Sequence, residues 1–368
     1  MTRWHDSPWR LLSNRVSRFY RGGLLLDRFV GAADAADTNE PEDWIGSATR
    51  AWTAPDAPPT DEGLAWAEVD GERRRVADVL REDPTAVAGA PIAAASAGGR
   101  EPTTGVLVKL LDAGVRLPVH AHPSRAFATR HLGSRYGKAE AWIVLATRNL
   151  AGEPPPHVRI GFRRDVGSAE LRSWIVGGAT EALLDAMAAQ PTRPGDVWFV
   201  PPGVPHAIGA GILILEVQEP TDFSIVLETR DVPIRAEDAH LGLGWDVAIE
   251  AIERQALDEA ALARLRSSWR SDTPPAGGRE ELLPAAAHPF FGAERVAPSG
   301  APLGGFDDRF LIGLVTVGSG TVATDGASLA VNQGGAFAVP SAAAASLRLE
   351  AAGRLEAILC RAGEAPGG

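Results

Sequence analysis

The sequence has little cysteine, little lysine and no long apolar run, and each scarcity excludes a class of protein. The single cysteine among 368 residues, Cys360, rules out an intramolecular disulfide framework and a cysteine-rich metal site. No run of 18 or more apolar residues occurs, so no segment is predicted to span a membrane. The N-terminal residues lack the apolar stretch and small-residue cleavage site of a secretory signal. We therefore expect a cytoplasmic protein.

Positive charge is also scarce, and the formal net charge is -11. A nucleic-acid partner is not expected, because it would require a basic stripe. An anionic small substrate is still possible, since a few local cations can govern a pocket. Of the 36 basic residues, two are lysines, Lys109 and Lys138. These are positions at which a compact ammonium is favoured over a planar guanidinium. No sequence feature identifies a protein partner.

The length and the distribution of apolar runs predict two mainly β units. Short β-rich runs bounded by glycine or proline recur along residues 105–230, with helical patterns at about 124–135 and 168–190. We expect residues 1–245 to form a cupin-like jelly-roll barrel with these helical insertions. Residues 246–279 read as a helical linker, and residues 280–368 as a second cupin-like β unit.

Two histidines lie at a spacing that allows them to bind one ion. His120 and His122 are two residues apart, so on a strand they point to the same face. The flanking pattern is G-x5-H-x-H from Gly114, and GDVWFVPPGVPH later supplies G-x5-P-x-G-x-x-H, ending at His206. These paired motifs resemble those of the cupin superfamily, in which both contribute ligands to one metal. Glu140 is the next candidate ligand.

The arrangement around these motifs resembles that of the type I mannose-6-phosphate isomerases. The sequence motifs of that family are Q-x-H-P, G-K-T-E-x-W and P-x-G-x-x-H-A-I-G. The corresponding segments of this chain are HAHP, GKAEAW and PPGVPHAIG. The family also carries a helix between the first two motifs, and a later segment E-x-Q-x-x-S-D-x-T-x-R that resembles LEVQEPTDFSIV here. The resemblance covers most of residues 105–230 and is weaker on either side.

The resemblance implies a zinc-dependent isomerase of mannose 6-phosphate and fructose 6-phosphate with one zinc ion per chain. The implied ligands are His120, His122, Glu140 and His206, where His120 replaces the family's glutamine. Three imidazoles and a carboxylate suit Zn²⁺, but also Fe²⁺, Mn²⁺ or Co²⁺. By the same resemblance, the implied catalytic and substrate-binding residues are Lys138, Asp222, Lys109 and Trp44.

Two departures from the family pattern concern the substrate. Where the family has a phosphate-holding serine, this chain has Pro118, and the family's arginine falls on Val226. Arg230 could replace that arginine only if the chain bulges, because four residues of strand span about 13 Å. A different or unphosphorylated sugar, or a cupin that binds a sugar without converting it, therefore stays open. A non-haem iron oxygenase is a further alternative.

The expected chemistry is proton transfer between C1 and C2 of the sugar. Lys138 is the first candidate for the base, because a neighbouring divalent cation lowers the pKa of a lysine. Asp222 is the second candidate, and Lys109 is expected to orient the anionic end of the substrate. In the C-terminal unit, Gly334 and Pro340 repeat the second motif, but Ala342 and Ala345 replace its glycine and histidine. We expect no metal there.

Overall fold

The computed structural model describes residues 4–366 except 54–57, 59, 97–100, 231 and 271–272. Within these ranges the chain is mainly β, with antiparallel sheets and helices inserted between strands. The predicted fold class is therefore confirmed in its content of strands and in its helical insertions. Closure of the sheets into jelly-roll barrels stays a prediction.

Two of the sheets are built largely from residues 105–230. The first, called here the small sheet, contains in spatial order the strands Met187–Pro191, His157–Phe162, His206–Ile208, His120–Ala121 and Ile225–Val226. The second, the seven-stranded sheet, contains in spatial order Arg266–Ser268, Asp196–Val200, Glu140–Thr147, Ile212–Gln218, Leu107–Ala113, Glu42–Ile45 and Arg15–Val16. Its central strands are buried along their whole length, which explains why they read as continuous apolar runs.

The third sheet joins the two ends of the chain. Its spatial order is Arg279–Glu281, Phe291–Val296, Arg348–Ala362, Leu311–Ala323, Ala336–Val339, Trp9–Leu11, Trp66–Val69 and Glu72–Arg75, with Ser328–Asn332 beside Leu311–Ala323. Trp9 lies opposite Ala338. Residues 9–75 therefore contribute strands to both large sheets. The expected division at residues 245 and 280 stays a prediction, and these N-terminal strands pair with the unit assigned to residues 280–368.

The helices are short and lie between the strands. The α-helices are Leu24–Val30, Val76–Glu82, Pro84–Ala88, Ala90–Ala95, Arg125–His131, Ser168–Gly177, Thr180–Asp185, Trp245–Ala248, Glu259–Arg264 and Ser341–Ala344. Single 3₁₀ turns occupy Trp4–Asp6, Ile249–Ala251, Ala276–Gly278 and Ala285–Ala287. No helix in the described ranges is both long and apolar enough to cross a bilayer.

The segment predicted as a helical linker, residues 246–279, contains helices but also a strand. Two helical segments, Trp245–Ala251 and Glu259–Arg264, are followed by the strand Arg266–Ser268. That strand pairs with Asp196–Val200, and Phe199 N–H donates to the carbonyl of Leu265. Backbone pairing with an open sheet edge therefore overrides the helical propensity of this alanine-rich segment.

The segment of the C-terminal unit that repeats the second motif, from Gly334 to Ala345, differs in local structure from the segment Gly195 to His206. After Pro201 the chain turns at Gly203 and enters the strand His206–Ile208. After Pro340 it enters the helix Ser341–Ala344 instead. The residue in the position of the histidine, Ala345, therefore ends a helix and does not lie on a strand.

Candidate metal centre

Four side chains from three strands and one adjoining turn converge on one point. The ligand atoms of His120, His122, Glu140 and His206 all lie within 4.8 Å of one another. The Nε2 atoms of His120 and His206 are 2.9 Å apart, and Glu140 lies 3.0 Å from His122 Nε2 and 3.2 Å from His206 Nε2. The structure thus brings together the whole ligand set that the sequence predicted.

Backbone carbonyls determine which ring nitrogen of each histidine faces that point. His120 Nδ1 lies 2.8 Å from the Pro118 carbonyl, and His206 Nδ1 lies 2.8 Å from the Val204 carbonyl. His122 Nδ1 lies 2.7 Å from the carbonyl of Phe223. Since a carbonyl only accepts, each Nδ1 carries a proton, and in the neutral ring the Nε2 then presents a lone pair. Lone pairs 2.9 Å apart repel each other, and a shared cation removes that repulsion.

Burial favours the neutral forms of His120 and His122, and the neighbouring Lys138 and histidines favour the ionised form of Glu140. Burial, followed by the imidazoles of His206 and His122, holds the pKa of His120 well below its usual range. Burial and the ammonium of Lys138 lower the pKa of His122 to about 3. Burial acts to raise the pKa of Glu140, but Lys138 and the histidines outweigh it and hold that pKa well below its usual range. Neutral imidazoles and a carboxylate are the forms that bind a metal, so the cluster is able to hold one.

The two sheets supply the ligands from opposite sides. His120 and His206 are direct partners in the small sheet, and His122 follows its strand by one residue. Glu140 begins a strand of the seven-stranded sheet, where the indole Nε1 of Trp142 donates to it at 3.0 Å. The two motifs therefore meet through strand pairing within the small sheet, and the seven-stranded sheet adds Glu140 from the opposite side.

The turn before Glu140 is tied to the segment that follows His122. Lys138 N–H donates to the Pro123 carbonyl at 3.0 Å. A Cβ on Gly137 would lie 2.4 Å from that carbonyl, so only glycine allows the two segments to pass this closely. Buried Glu219 accepts the backbone N–H of Ala139 at 3.0 Å. These contacts explain the glycine of the GKAEAW segment.

Lys138 lies directly against the ligand cluster. Its Nζ is 2.9 Å from His122 Nε2 and 3.0 Å from a carboxylate oxygen of Glu140. Burial acts to lower the pKa of Lys138, but Glu140, Glu216 and Asp222 outweigh it and raise that pKa above its ordinary value. The protein's own groups thus oppose the lowered lysine pKa that the sequence led us to expect.

The two other predicted residues near the substrate, Lys109 and Asp222, also reach this centre. Lys109 Nζ lies 3.9 Å from an Asp222 carboxylate oxygen, and Asp222 also accepts the backbone N–H of Trp52 at 3.0 Å. Arg18, which the sequence analysis did not select, lies 3.4 Å from Asp222 and 3.0 Å from Glu42. A network of alternating cations and carboxylates therefore continues from the metal ligands into the pocket.

Trp44 and Arg230 do not occupy the positions expected of them. Trp44 is fully buried, its Nε1 donates to Glu42 at 2.6 Å, and its ring lies beneath the Lys109 ammonium at 4.5 Å. It supports the pocket without lining it. Arg230 donates to the Gly177 carbonyl at 2.8 Å and lines a separate outer cavity. Val226 lines the inner pocket and Arg230 does not, so Arg230 does not take the place of the expected arginine.

Glu216 is the functional candidate that the sequence analysis missed. It is the partner of Lys109 and of Trp142 on the two adjacent strands, so its side chain faces the same side as theirs. Its Oε1 has no hydrogen-bond partner, and lies 3.7 Å from Lys109 Nζ and 3.9 Å from Lys138 Nζ. Burial raises the pKa of Glu216 to about 7, against the opposing effect of Lys109. The available signal was a lone glutamate within the apolar run GILILEVQ.

These groups line one pocket of about 350 Å³, a size that suits a small ligand. Its charged lining consists of Arg18, Glu42, Lys109, Lys138, Glu140, Glu216, Asp222, Arg235 and Asp238, together with the imidazole of His120. Paired donors and acceptors of this kind are suited to a ligand rich in hydroxyl groups.

Comparison with known proteins gives relatives of one kind. No family model matches the chain. The chain is 38% identical over 118 residues to the mannose-6-phosphate isomerase of Streptococcus mutans, which is 32% of this chain and 34% of that relative. The chain therefore aligns with about a third of the length of that curated relative.

Solved structures match over nearly the whole chain. The mannose 6-phosphate isomerase of Bacillus subtilis has a TM-score of 0.68 at 20% identity, covering 96% of this chain and 99% of that one. A mannose 6-phosphate isomerase bound with zinc and yttrium has a TM-score of 0.63 at 14% identity, with 96% and 99% covered. These structures establish a shared fold. The chain is therefore similar in sequence to a mannose-6-phosphate isomerase over about a third of its length, and similar in fold to solved isomerases over nearly all of it.

Proposed function

We propose that this chain is a metal-dependent aldose–ketose isomerase acting on a sugar of the mannose and fructose pair. The observation that carries this proposal is the set of three imidazoles and one carboxylate beside a pocket that also holds Lys138 and Glu216. One divalent ion per chain, zinc by preference, would be held by His120, His122, Glu140 and His206. The printed names of the relatives support the sugar, and the zinc-bound structural neighbour supports the metal.

The reaction moves a proton between C1 and C2 while charge builds on the neighbouring oxygens. A divalent ion bound to the cluster would supply Lewis-acid polarisation of those oxygens. The protein's own contribution is a base that removes the carbon-bound proton and returns it. It must also supply donors that hold the hydroxyl groups in position and a pocket that limits access of water.

Glu216 is the strongest candidate for that base. Its Oε1 is buried and unpartnered, and its pKa of about 7 makes both protonation states accessible near neutral pH. Lys138, expected from the sequence to be the base, has a raised pKa and so remains an ammonium that donates to a sugar oxygen. Asp222 is engaged by Arg18 and by the backbone N–H of Trp52, which suits a positioning role.

Metal content and turnover measured on the same samples test this function. His122→Ala and His206→Ala should each lose most of the zinc and most of the aldose–ketose conversion, since each removes one of four ligands. His157→Ala is the matched control, because His157 lies in the small sheet and its Nδ1 also lies 2.9 Å from a carbonyl two residues earlier. It should keep both zinc and turnover.

Two outcomes would contradict the proposal in different ways. Full metal content in either ligand variant would remove that histidine from the metal site. A wild-type protein that holds iron and consumes oxygen would favour an oxygenase, and one that binds a sugar without converting it would be a binding protein.

A further inference from the structure

The wall of the pocket changes from charged to apolar with distance from the ligand cluster. Ile208 lies two residues after His206 on the same strand, so it faces the same side as that histidine. Pro118 lies two residues before His120. Both residues line the pocket, as does Val226, the partner of His120 on the next strand. On the seven-stranded sheet, Leu111 lies two residues after Lys109 on the same strand, and it also lines the pocket. The part of a sugar that extends away from the metal ligands therefore meets hydrocarbon.

The cations that line this pocket in the described part of the chain are already matched by carboxylates. Arg18 lies between Glu42 and Asp222 at 3.0 and 3.4 Å. Lys109 lies 3.7 Å from Glu216. Lys138 lies 3.0 Å from Glu140, which also belongs to the ligand set. A further anion placed here would meet carboxylates as well as cations.

Arg235, at the pocket edge, is held in the same manner. Its guanidinium makes two contacts with the Asp238 carboxylate, at 2.8 and 2.9 Å, and a third with Glu237 at 3.3 Å. A two-pronged pair of this kind uses the donor geometry with which arginine would otherwise grip a phosphate. Asp238 itself lines the pocket, so it would repel a phosphate placed beside Arg235.

The outer cavity beyond Pro118 offers no better position for a phosphate. It shares Phe19, Tyr20, Pro118 and Pro233 with the inner pocket. Its arginines are Arg116, bound to both carboxylate oxygens of Glu228 at 2.6 and 2.9 Å, and Arg230, which donates to a backbone carbonyl. Buried Glu228 thus matches the charge of Arg116, and this pair adds no surplus positive charge to the outer cavity.

On this basis we propose that the substrate is an uncharged aldose such as mannose, not its 6-phosphate. The inference rests on the proposed isomerase function and specifies its substrate class. Moving a phosphate dianion from water into a pocket requires cations or donors that replace its hydration. Here the lining cations are paired with carboxylates, and the rest of the wall is mainly apolar, with Tyr20 and Ser224 as its hydroxyl groups. Hydroxyl groups, in contrast, match the alternating donors and acceptors around Lys109 and Asp222.

Kinetics on the two sugars test the inference directly. For the wild-type protein loaded with zinc, kcat/KM should be at least about tenfold higher for mannose than for mannose 6-phosphate, and inorganic phosphate should not compete with mannose. A preference for mannose 6-phosphate, or competitive inhibition by inorganic phosphate, would overturn the inference. Turnover of neither sugar would contradict the proposed function instead. Calorimetry would then decide the substrate class, because tighter binding of mannose supports the inference and tighter binding of its phosphate refutes it.

A substitution at Val226 adds a gain-of-function test. Val226→Arg should move the ratio of kcat/KM values toward mannose 6-phosphate by about tenfold, because it places an additional cation in the apolar wall. Val226→Met is the matched control, since it adds length without charge and should leave the preference for mannose unchanged. An equal shift in both variants would show that wall shape, and not missing charge, governs the preference. If Val226→Arg does not fold, the wild-type comparison still decides.

Discussion

At the scale of single residues, the function depends on how each polar side chain is oriented. Three histidine rings are held through Nδ1 by backbone carbonyls, so the positions of their Nε2 lone pairs follow from the fold. Glu216, in contrast, is not fixed in this way, because one of its oxygens is buried without a hydrogen-bond partner. The cluster is thus preorganised for a cation, while Glu216 keeps a free oxygen beside it.

Replacement of Glu216 tests its role as the base. Glu216→Gln keeps the shape of the side chain but cannot accept the proton, so kcat should fall by roughly 10²–10⁴-fold while zinc content is unchanged. Wild type should lose activity as pH falls through the raised pKa of this carboxyl, and this loss should be absent from the residual activity of the variant.

Glu228→Gln is the control for the loss of a buried carboxylate. Glu228 is buried and paired with Arg116, but it lies outside the inner pocket. It should therefore keep the wild-type pH profile and most of kcat. A Glu216→Gln variant with wild-type kcat would exclude Glu216 as the base and leave Lys138 as the first candidate.

The histidines could be predicted from the sequence, but Glu216 could not. His120 and His122 lie two residues apart, and the motif that ends at His206 is a short local pattern. Glu216 becomes functional only through its register with Lys109 and Trp142 on neighbouring strands. Arg18 likewise reaches Asp222 across 204 residues of sequence. Contacts of this kind depend on how sheets pair, which no local pattern specifies.

At the scale of elements, the position of the GKAEAW segment depends on its close approach to residues 123–125. The helix Arg125–His131 begins at Ser124, whose side chain accepts the backbone N–H of Phe127. Glu219 accepts the N–H of Ala139 and contacts Arg125 at 2.5 Å, so it joins this helix to the strand that carries Glu140. The helix inserted between the two motifs therefore helps to position a ligand.

A substitution at Gly137 tests this coupling. In Gly137→Ala, the new Cβ would lie 2.4 Å from the Pro123 carbonyl, so the two segments must separate. We expect a loss of roughly 1–3 kcal/mol in the free energy of unfolding, and weaker zinc binding because Lys138 and Glu140 move.

Gly167→Ala is the matched control. Gly167 has a negative φ of -66°, and a Cβ there meets nothing within 4 Å. Its stability and zinc affinity should stay close to wild type. If Gly137→Ala is destabilised but binds zinc as tightly as wild type, the turn does not position the metal ligands.

The linker shows where local patterns fail at this scale. The segment 245–269 is rich in helix-forming residues, yet Arg266–Ser268 is a strand. Its partners Asp196–Trp198 supply backbone hydrogen bonds at a sheet edge. In contrast, the helix Arg125–His131 lies within the predicted range 124–135 and begins at Ser124. The helix predicted over about 168–190 is correct only in part, because it is divided into Ser168–Gly177 and Thr180–Asp185 and its end forms the strand Met187–Pro191, which pairs with His157–Phe162.

At the scale of the whole molecule, the chain combines a shared fold with a changed pocket. The fold matches a solved isomerase structure over 96% of the chain, whereas Pro118 and Val226, where the resemblance led us to expect a serine and an arginine, form part of the pocket wall. The strand Trp9–Leu11 also joins the C-terminal sheet, a pairing between residues more than 300 positions apart. Composition predicted the β class, but not this connection.

The central claim is that this protein interconverts an aldose and a ketose with a bound metal. The most direct test is ¹³C NMR of mannose and of mannose 6-phosphate labelled at C2, each incubated with the zinc-loaded protein. The account predicts that the signal of the labelled alcohol carbon gives way to that of the ketose carbon of fructose. Removal of zinc by a chelator should stop the change, and zinc should restore it. An unchanged signal for both sugars, with one zinc ion bound per chain, would contradict the account.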